Sequence, residues 1–188
     1  MAVHETGVRY TSENGVALIE IRLSSVQQLF NSLDPAPFRD KDLDADAEEY
    51  IVGAVDDFAM SAPLKIVLHL PPDQLRLAAA EGLADAIHNY FGYRLAAERR
   101  RLRFELREGR ISLMIGLGFL IACFALRQLV QAVADGTLRQ ILAEGLLISG
   151  WVAMWRPIQI FLYGWWPHRH RCRIYAKLER IPIETRPA

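Results

Sequence analysis

Residues 111–130 read ISLMIGLGFLIACFALRQLV, and residues 141–166 read ILAEGLLISGWVAMWRPIQIFLYGWW. The first stretch carries one charged residue, Arg127, and the second carries Glu144 and Arg156 followed by Pro157. About 20 mostly apolar residues suffice to cross a hydrocarbon core of about 30 Å as a helix. Glycines within the stretch and tryptophans at its end are common in membrane spans, whereas a buried helix of a soluble core rarely needs either at this length. The two stretches, joined by a short external loop at 131–140, therefore predict a transmembrane hairpin. Its second arm should be kinked near residues 156–157, because proline removes a backbone donor and clashes with the preceding turn.

The flanks orient the hairpin. The stem before the first span, residues 94–110, holds Arg94, Arg99, Arg100, Arg101, Arg103, Arg107 and Arg110, and the tail after the second, 167–188, holds Arg169, Arg171, Arg173, Lys177 and Arg180. The connecting loop has only Arg139, with Asp135 offsetting it. Lysine and arginine accumulate on the cytoplasmic side, so both termini are expected in the cytoplasm of a bacterial inner membrane. The N-terminal region has no basic, apolar, small-residue leader pattern, and export of the first hundred residues is not expected. Arg110, Tyr163, Trp165 and Trp166 are the expected interfacial anchors, since amphipathic aromatic rings favour the headgroup level.

The overall balance of 22 basic and 22 acidic residues conceals a segregation. Residues 1–93 contain 15 acidic and 6 basic side chains, and residues 94–188 contain 7 and 16. The basic half suits an anionic lipid surface, and the acidic half should stand off it or meet a basic protein partner. A nucleic-acid partner is not expected, because the arginine cluster adjoins a span and lacks interleaved stacking aromatics. Cys123 falls in the first span and Cys172 in the tail, so no disulfide between them is expected in a reducing compartment.

Residues 1–93 suffice for one small α+β domain of two or three strands with short helices. The Asn14-Gly15 turn signal precedes alternating residues 16–23, which predict a strand, with residues 8–11 as a hairpin partner. Ser24 or Ser25 should cap a short helix over 26–33, ended by the Asp34-Pro35-Ala36-Pro37 run. The acidic start at 44–49 predicts a helix to about residue 59. Residues 64–70, bounded by prolines, read as a second strand, paired in parallel through a right-handed crossover. From 72 to 110 the helical spacing predicts one helix, bent at a glycine, that continues into the first span as a helical stem.

The runs LFNSLDPAPF (29–38), DLDADAEEYI (42–51), PLKIVLHLP, AIHNYFGYR (86–94) and WRPIQIFLYGWWP cover most of the chain. On these runs the sequence resembles an uncharacterised bacterial family of small two-span membrane proteins with an LFNSLDPxPF motif. That resemblance implies the two-span architecture and carries no activity, cofactor or catalytic residue with it.

Candidate chemistry is sparse. Asp40, Asp42, Asp44, Asp46 and Glu48 alternate like a calcium loop, but the positions that would need glycine and glutamate hold Ala47 and Gly53, so they read as a dipole-favourable helix start. His69, His88 and Asp34 are the residue types of a metal or acid-base cluster without a ligand spacing. Catalytic, cofactor-binding and metal-ligating residues are accordingly not assigned. Asp34, Pro35, Pro37, Phe38 and Arg39 form a rigid loop and the candidate partner-docking edge. Arg127 and Glu144 lie at similar depth in a hairpin and should pair, because intramembrane charges are costly alone. Small residues at Gly145, Ser149 and Ala153 and at Gly118 and Ala122 should let helices approach closely. The expected function is a membrane-anchored adaptor or accessory subunit that presents an acidic cytoplasmic domain to a protein partner, without chemistry of its own. An oligomeric transport or channel component using Arg127, Glu144 and Arg156 is the alternative, and a membrane-bound enzyme is the third class.

Overall fold

In a computed structural model, residues 10–133 and 136–188 are described. The chain is mixed α/β and mostly helical, with one four-stranded sheet and two long apolar helices. It divides into two compact units, Met1–Ala97 with His170–Ala188, and Glu98–Arg169.

In the first unit, β1 (Thr11–Glu13) and β2 (Val16–Arg22) form the expected hairpin through Asn14 (φ 50°) and Gly15 (φ 80°). Positive φ at both central residues is what a twist-matched two-residue turn requires, and Asn-Gly supplies it at little strain. The expected partner segment at 8–9 lies outside the described residues, and pairing begins at Thr11. β3 (Leu64–Leu70) pairs in parallel with β2, with Ile19 opposite Ile66. A fourth strand, β4 (Ile183–Pro187), pairs in parallel with β3, with Ile183 opposite Ile66.

One face of this sheet is the core face. Ile19, Ile66, Leu68 and Leu70 are fully buried against Ile51 and Val55 of α1 (Ala45–Asp56), and Leu83, Ile87 and Phe91 of α3 (Leu83–Val133) belong to the same cluster. The opposite face carries Leu18 and Val67, both buried, among charged side chains. Arg186 holds both carboxylate oxygens of Glu13 at 2.7 Å and reaches Glu184 at 2.7 Å, while Lys65 meets Glu184 at 2.8 Å.

Three sequence expectations of local structure are corrected first. The helix expected over 26–33 is a single 3-10 turn, Val26–Leu29, capped by Ser25. Phe30 ends the turn by going extended and forming a bridge with Leu43; beyond it Asn31 accepts from the Leu33 amide, and Leu33 is 89% exposed. The helix begun by Asp44 ends at Asp56, short of residue 59. The helix expected from 72 to 110 is two: α2 (Pro72–Glu81) stops at Gly82, whose φ of 69° is a left-handed cap, and α3 starts after it. Glycine adopts that conformation without a Cβ penalty.

The largest correction concerns the basic tail at 167–188, which is part of the folded domain. Its helix α6 (Trp166–Leu178) and β4 bring Ile174, Tyr175, Leu178 and Ile181 into the core, all at or below 5% exposure. Burying each such side chain contributes roughly 1.5–3 kcal/mol. Lys177 anchors the helix further by donating to the carbonyl oxygens of Met60 at 3.3 Å and Ala62 at 2.7 Å, and burial there lowers its pKa.

The second unit is an antiparallel helix pair. Its first arm is α3 from Glu98 onward, continuous from the stem through the first apolar stretch as expected. Its second arm runs through α4 (Gly136–Ala153), α5 (Trp155–Gln159), a π-helical turn (Ile160–Gly164) and the start of α6. Two helical runs of the chain, Leu83–Ala132 and Gly136–Leu178, are long and apolar enough to cross a membrane, and only 11% and 17% of their most apolar windows are buried. Met114, Ile115, Ile121, Ile148, Val152 and Trp155 are all at least 60% exposed, unlike the residues of a soluble core helix.

The arms meet along small residues seven apart: Gly109, Gly116 and Cys123 on the first, and Ala143, Gly150 and Pro157 on the second, all buried. A seven-residue repeat keeps one seam facing its partner. A Cβ at Gly116 would lie 2.9 Å from the Ala153 carbonyl oxygen, and one at Gly150 would lie 2.7 Å from Leu120. Gly118 and Gly145 face open space, so of the expected small-residue stripes these two glycines lie off the seam while Ala153 meets it. The distortion expected at 156–157 begins at Met154, between α4 and α5. Pro157 has no N–H for the Ala153 carbonyl four residues earlier, and that carbonyl instead faces Gly116, where no side chain intervenes.

Candidate functional site

The loop following the 3-10 turn is held by its own polar side chains. Asp34 accepts the Ala36 amide on Oδ1 at 2.9 Å and the Asp42 amide on Oδ2 at 2.7 Å. These two backbone donors, Asp42 foremost, lower the Asp34 pKa. Asn31 N–H donates to the Asp42 carbonyl at 2.8 Å and Asp44 N–H to the Leu29 carbonyl at 2.9 Å, which clamp the loop ends. Pro35 and Pro37 restrict the backbone between them.

Phe38 turns inward against Phe30 with ring centroids 4.8 Å apart. The apolar residue displayed is Leu33, on a loop tied by Asn31 and Asp34 to the backbone of Asp42, in a segment whose Asp40, Asp42, Asp46 and Glu49 are exposed. Arg39 is exposed, and its carbonyl accepts from Asn89 at 3.3 Å. A hydrophobic residue on a polar, preorganised loop needs little ordering when a partner binds, which favours recognition.

His69, His88 and Asp34 are not brought together. His69 lies on the charged sheet face, 3.2 Å from Glu20, and His88 bonds the Ile181 carbonyl at 2.8 Å. No group of metal-ligating side chains exists among the described residues.

A polar network that the sequence did not announce holds the helices of the domain. Glu48 accepts from Tyr90 at 2.7 Å and Tyr175 at 2.9 Å and pairs with Arg94 at 2.8 Å. Burial, then the hydrogen bond to Glu48, raises the Tyr90 pKa. The Arg94 guanidinium also stands 5.8 Å and 5.7 Å from the Tyr90 and Tyr175 ring centroids. Every hydrogen-bonding partner here is a neighbour within the fold, so the network joins α1, α3 and α6. The available signal was helical spacing alone, which places Tyr90 and Arg94 on one face.

On the helix pair, the ion pair expected between Arg127 and Glu144 does not form. The depths match, but the seam passes through Ala143, and the next residue of a helix is turned about 100° away. Glu144 is therefore exposed. Arg156 pairs instead with Glu108 at 2.8 Å. Beside that pair an open groove of about 380 Å³ is lined by Ser112, Gly116, Phe119, Ala153 and Pro157.

Near the other end of the pair, Glu98 is the one buried charged residue among those described, 4% exposed. His168 lies 2.6 Å from its Oε1 and Arg101 3.5 Å from its Oε2. The expected anchors lie at this end of the second arm: Tyr163 and Trp166 are 70% and 66% exposed, and Trp165 donates to the Phe161 carbonyl at 2.8 Å beneath the Arg169 guanidinium. On the first arm Arg110 is exposed and reaches the Leu106 carbonyl at 3.3 Å. No protein-family model, no curated protein and no solved structure matches the chain.

Proposed function

We propose that the chain is a membrane-anchored adaptor or accessory subunit, in which the apolar helix pair spans the bilayer and the α+β domain offers the Leu33 loop to a protein partner. The observation that carries this reading is the loop itself: Leu33 is 89% exposed on a backbone locked by Asp34, which ties the loop to the acidic segment at Asp42. Such a surface suits a basic partner segment with one apolar residue, the adjoining acidic segment steering encounter and Leu33 supplying burial. The exposure of the apolar side chains on the helix pair supports residence in a bilayer, where exposed leucine and isoleucine are stable. The segments leading into and out of that pair both belong to the domain, which supports a hairpin with both ends on one side. The arginine bias at those ends makes that side the cytoplasm, against anionic lipid of the bacterial inner membrane. The resemblance to small two-span membrane proteins fits the same architecture.

The test places a photo-crosslinking residue at position 33 of the full chain in native membranes. A discrete adduct is expected, and it should disappear when Asp40, Asp42 and Asp46 are changed together to asparagine or serine. Failure to form any discrete adduct, or an adduct indifferent to those charges, would overturn the docking assignment.

A further inference from the structure

A second open cavity on the helix pair, about 580 Å³, is lined by Arg100, Arg101, Phe104, Glu105 and His168. We infer that this cavity is a binding site for the phosphodiester group of a membrane phospholipid, with Arg100 and Arg101 as the anion-binding residues. The inference rests on the proposal that the helix pair spans a bilayer.

Depth is the first argument. A Cβ placed on Gly164 would lie 3.8 Å from a Glu105 carboxylate oxygen, so Trp165 and Trp166 stand level with Phe104. Tryptophan favours the headgroup layer. From Phe104 to Val133 the first arm continues unbroken to the end of its helix. At about 1.5 Å per residue that is about 45 Å, which matches the roughly 40–45 Å of a bilayer with its headgroups. The cavity thus opens where lipid phosphates lie.

Donor chemistry is the second. Arg100 forms no ion pair among the described residues, and Arg101 spends one contact, 3.5 Å long, on Glu98. A guanidinium has five N–H donors in a planar fork that matches phosphate oxygens. Glu98, almost fully enclosed, ties His168 to the wall at 2.6 Å and steadies Arg101, so two of the lining residues share one buried support. Phe104, 67% exposed, supplies an apolar surface for the glycerol and first acyl carbons.

Glu105 selects between phosphate types. It is the only carboxylate in the lining. Beside it a dianionic phosphomonoester or free phosphate is disfavoured by repulsion, whereas a phosphodiester carries one negative charge and keeps both guanidinium contacts.

The experiment uses the full chain in mild detergent, with bound lipid counted by native mass spectrometry after adding phosphatidylglycerol, and inorganic phosphate as competitor. Wild type should retain phosphatidylglycerol. Arg100→Gln should lower the retained fraction about threefold and the Arg100→Gln, Arg101→Gln pair at least tenfold, with the far-UV spectrum unchanged. Glu105→Gln should keep phosphatidylglycerol and gain binding of phosphatidic acid. Retention by the double variant equal to wild type would overturn the site. Displacement of the lipid by millimolar inorganic phosphate would assign it to a soluble anion and overturn the lipid assignment. All variants should still float with phosphatidylcholine vesicles; failure of wild type to float would refute the membrane span itself, which separates the two failures.

Discussion

Replacing Gly116 with alanine adds one methyl group where the two arms of the helix pair approach most closely through backbone. The new Cβ would sit 2.9 Å from the Ala153 carbonyl oxygen and 3.5 Å from its carbon, whereas ordinary contact begins near 3.4 Å. Neither atom is a flexible side-chain tip, so the arms must separate by about 0.5 Å, a gap that forfeits a quarter to a half of the dispersion well for the atoms along the seam. Overpacking of this kind costs about 1–3 kcal/mol. Against it stands the gain of up to about 1 kcal/mol from exchanging glycine for alanine inside a helix. The net expectation is a loss of about 0–2 kcal/mol at position 116.

The control is two residues along the same helix: a Cβ at Gly118 meets nothing within 4 Å, so Gly118→Ala keeps only the gain. The two variants should therefore differ by about 1–3 kcal/mol. Unfolding of the full chain in mixed micelles, followed by far-UV circular dichroism as the denaturing detergent is raised, measures that difference. Equal midpoints for the two variants would refute the seam as placed, because two glycines in one helix would then be equivalent.

Two further predictions concern the domain. Glu48→Gln removes a carboxylate that accepts from two tyrosines and pairs with Arg94, and should destabilise the domain by about 1.5–3 kcal/mol, with the earliest loss of amide protection in α6. On the charged sheet face, hydrogen bonds from Arg186, then from Lys65, hold the Glu184 carboxyl at about 2 against an ordinary 4.5. Its folded pKa is depressed, so its contribution to stability is full above about 4.5 and is lost as pH falls toward 2. Arg186→Gln should return the Glu184 titration, followed by nuclear magnetic resonance, toward its ordinary value and flatten that acid-induced loss.

Legibility in the sequence followed the range of the interaction that sets each feature. The Asn14-Gly15 hairpin, the strands at 16–22 and 64–70 and the acidic start of α1 depend on neighbours in the chain, and each can be read locally. The seam of the helix pair was within reach but missed: spacing of four picked out Gly118, Ala122 and Gly145, while spacing of seven, the period of a sustained two-helix contact, picks out Gly109, Gly116, Cys123 and Gly150. Arg127 and Glu144 were expected to meet on depth alone, which carries no azimuth. β4 and the core role of Ile174, Tyr175 and Leu178 were hidden by composition, since the arginines and histidines around them give the tail a solvated appearance. The exposure of Leu33 was not legible because Phe30 turns extended after one 3-10 turn, an event too local for periodicity to register.

The placement of α6 and β4 has a consequence for how this protein is made. A ribosome releases residues 10–97 first, and these contain three of the four strands but lack Ile174, Leu178 and Ile181. The 72 residues of Glu98–Arg169 must follow before the missing pieces appear, a delay of about 4–14 s at 5–20 residues per second. During that interval the open edge of β3 and the vacant part of the core await a segment from the far end of the chain. Closure of the domain is therefore a molecular receipt for delivery of the whole hairpin: a nascent chain that stalls within it leaves an unfinished sheet for chaperones and proteases to recognise.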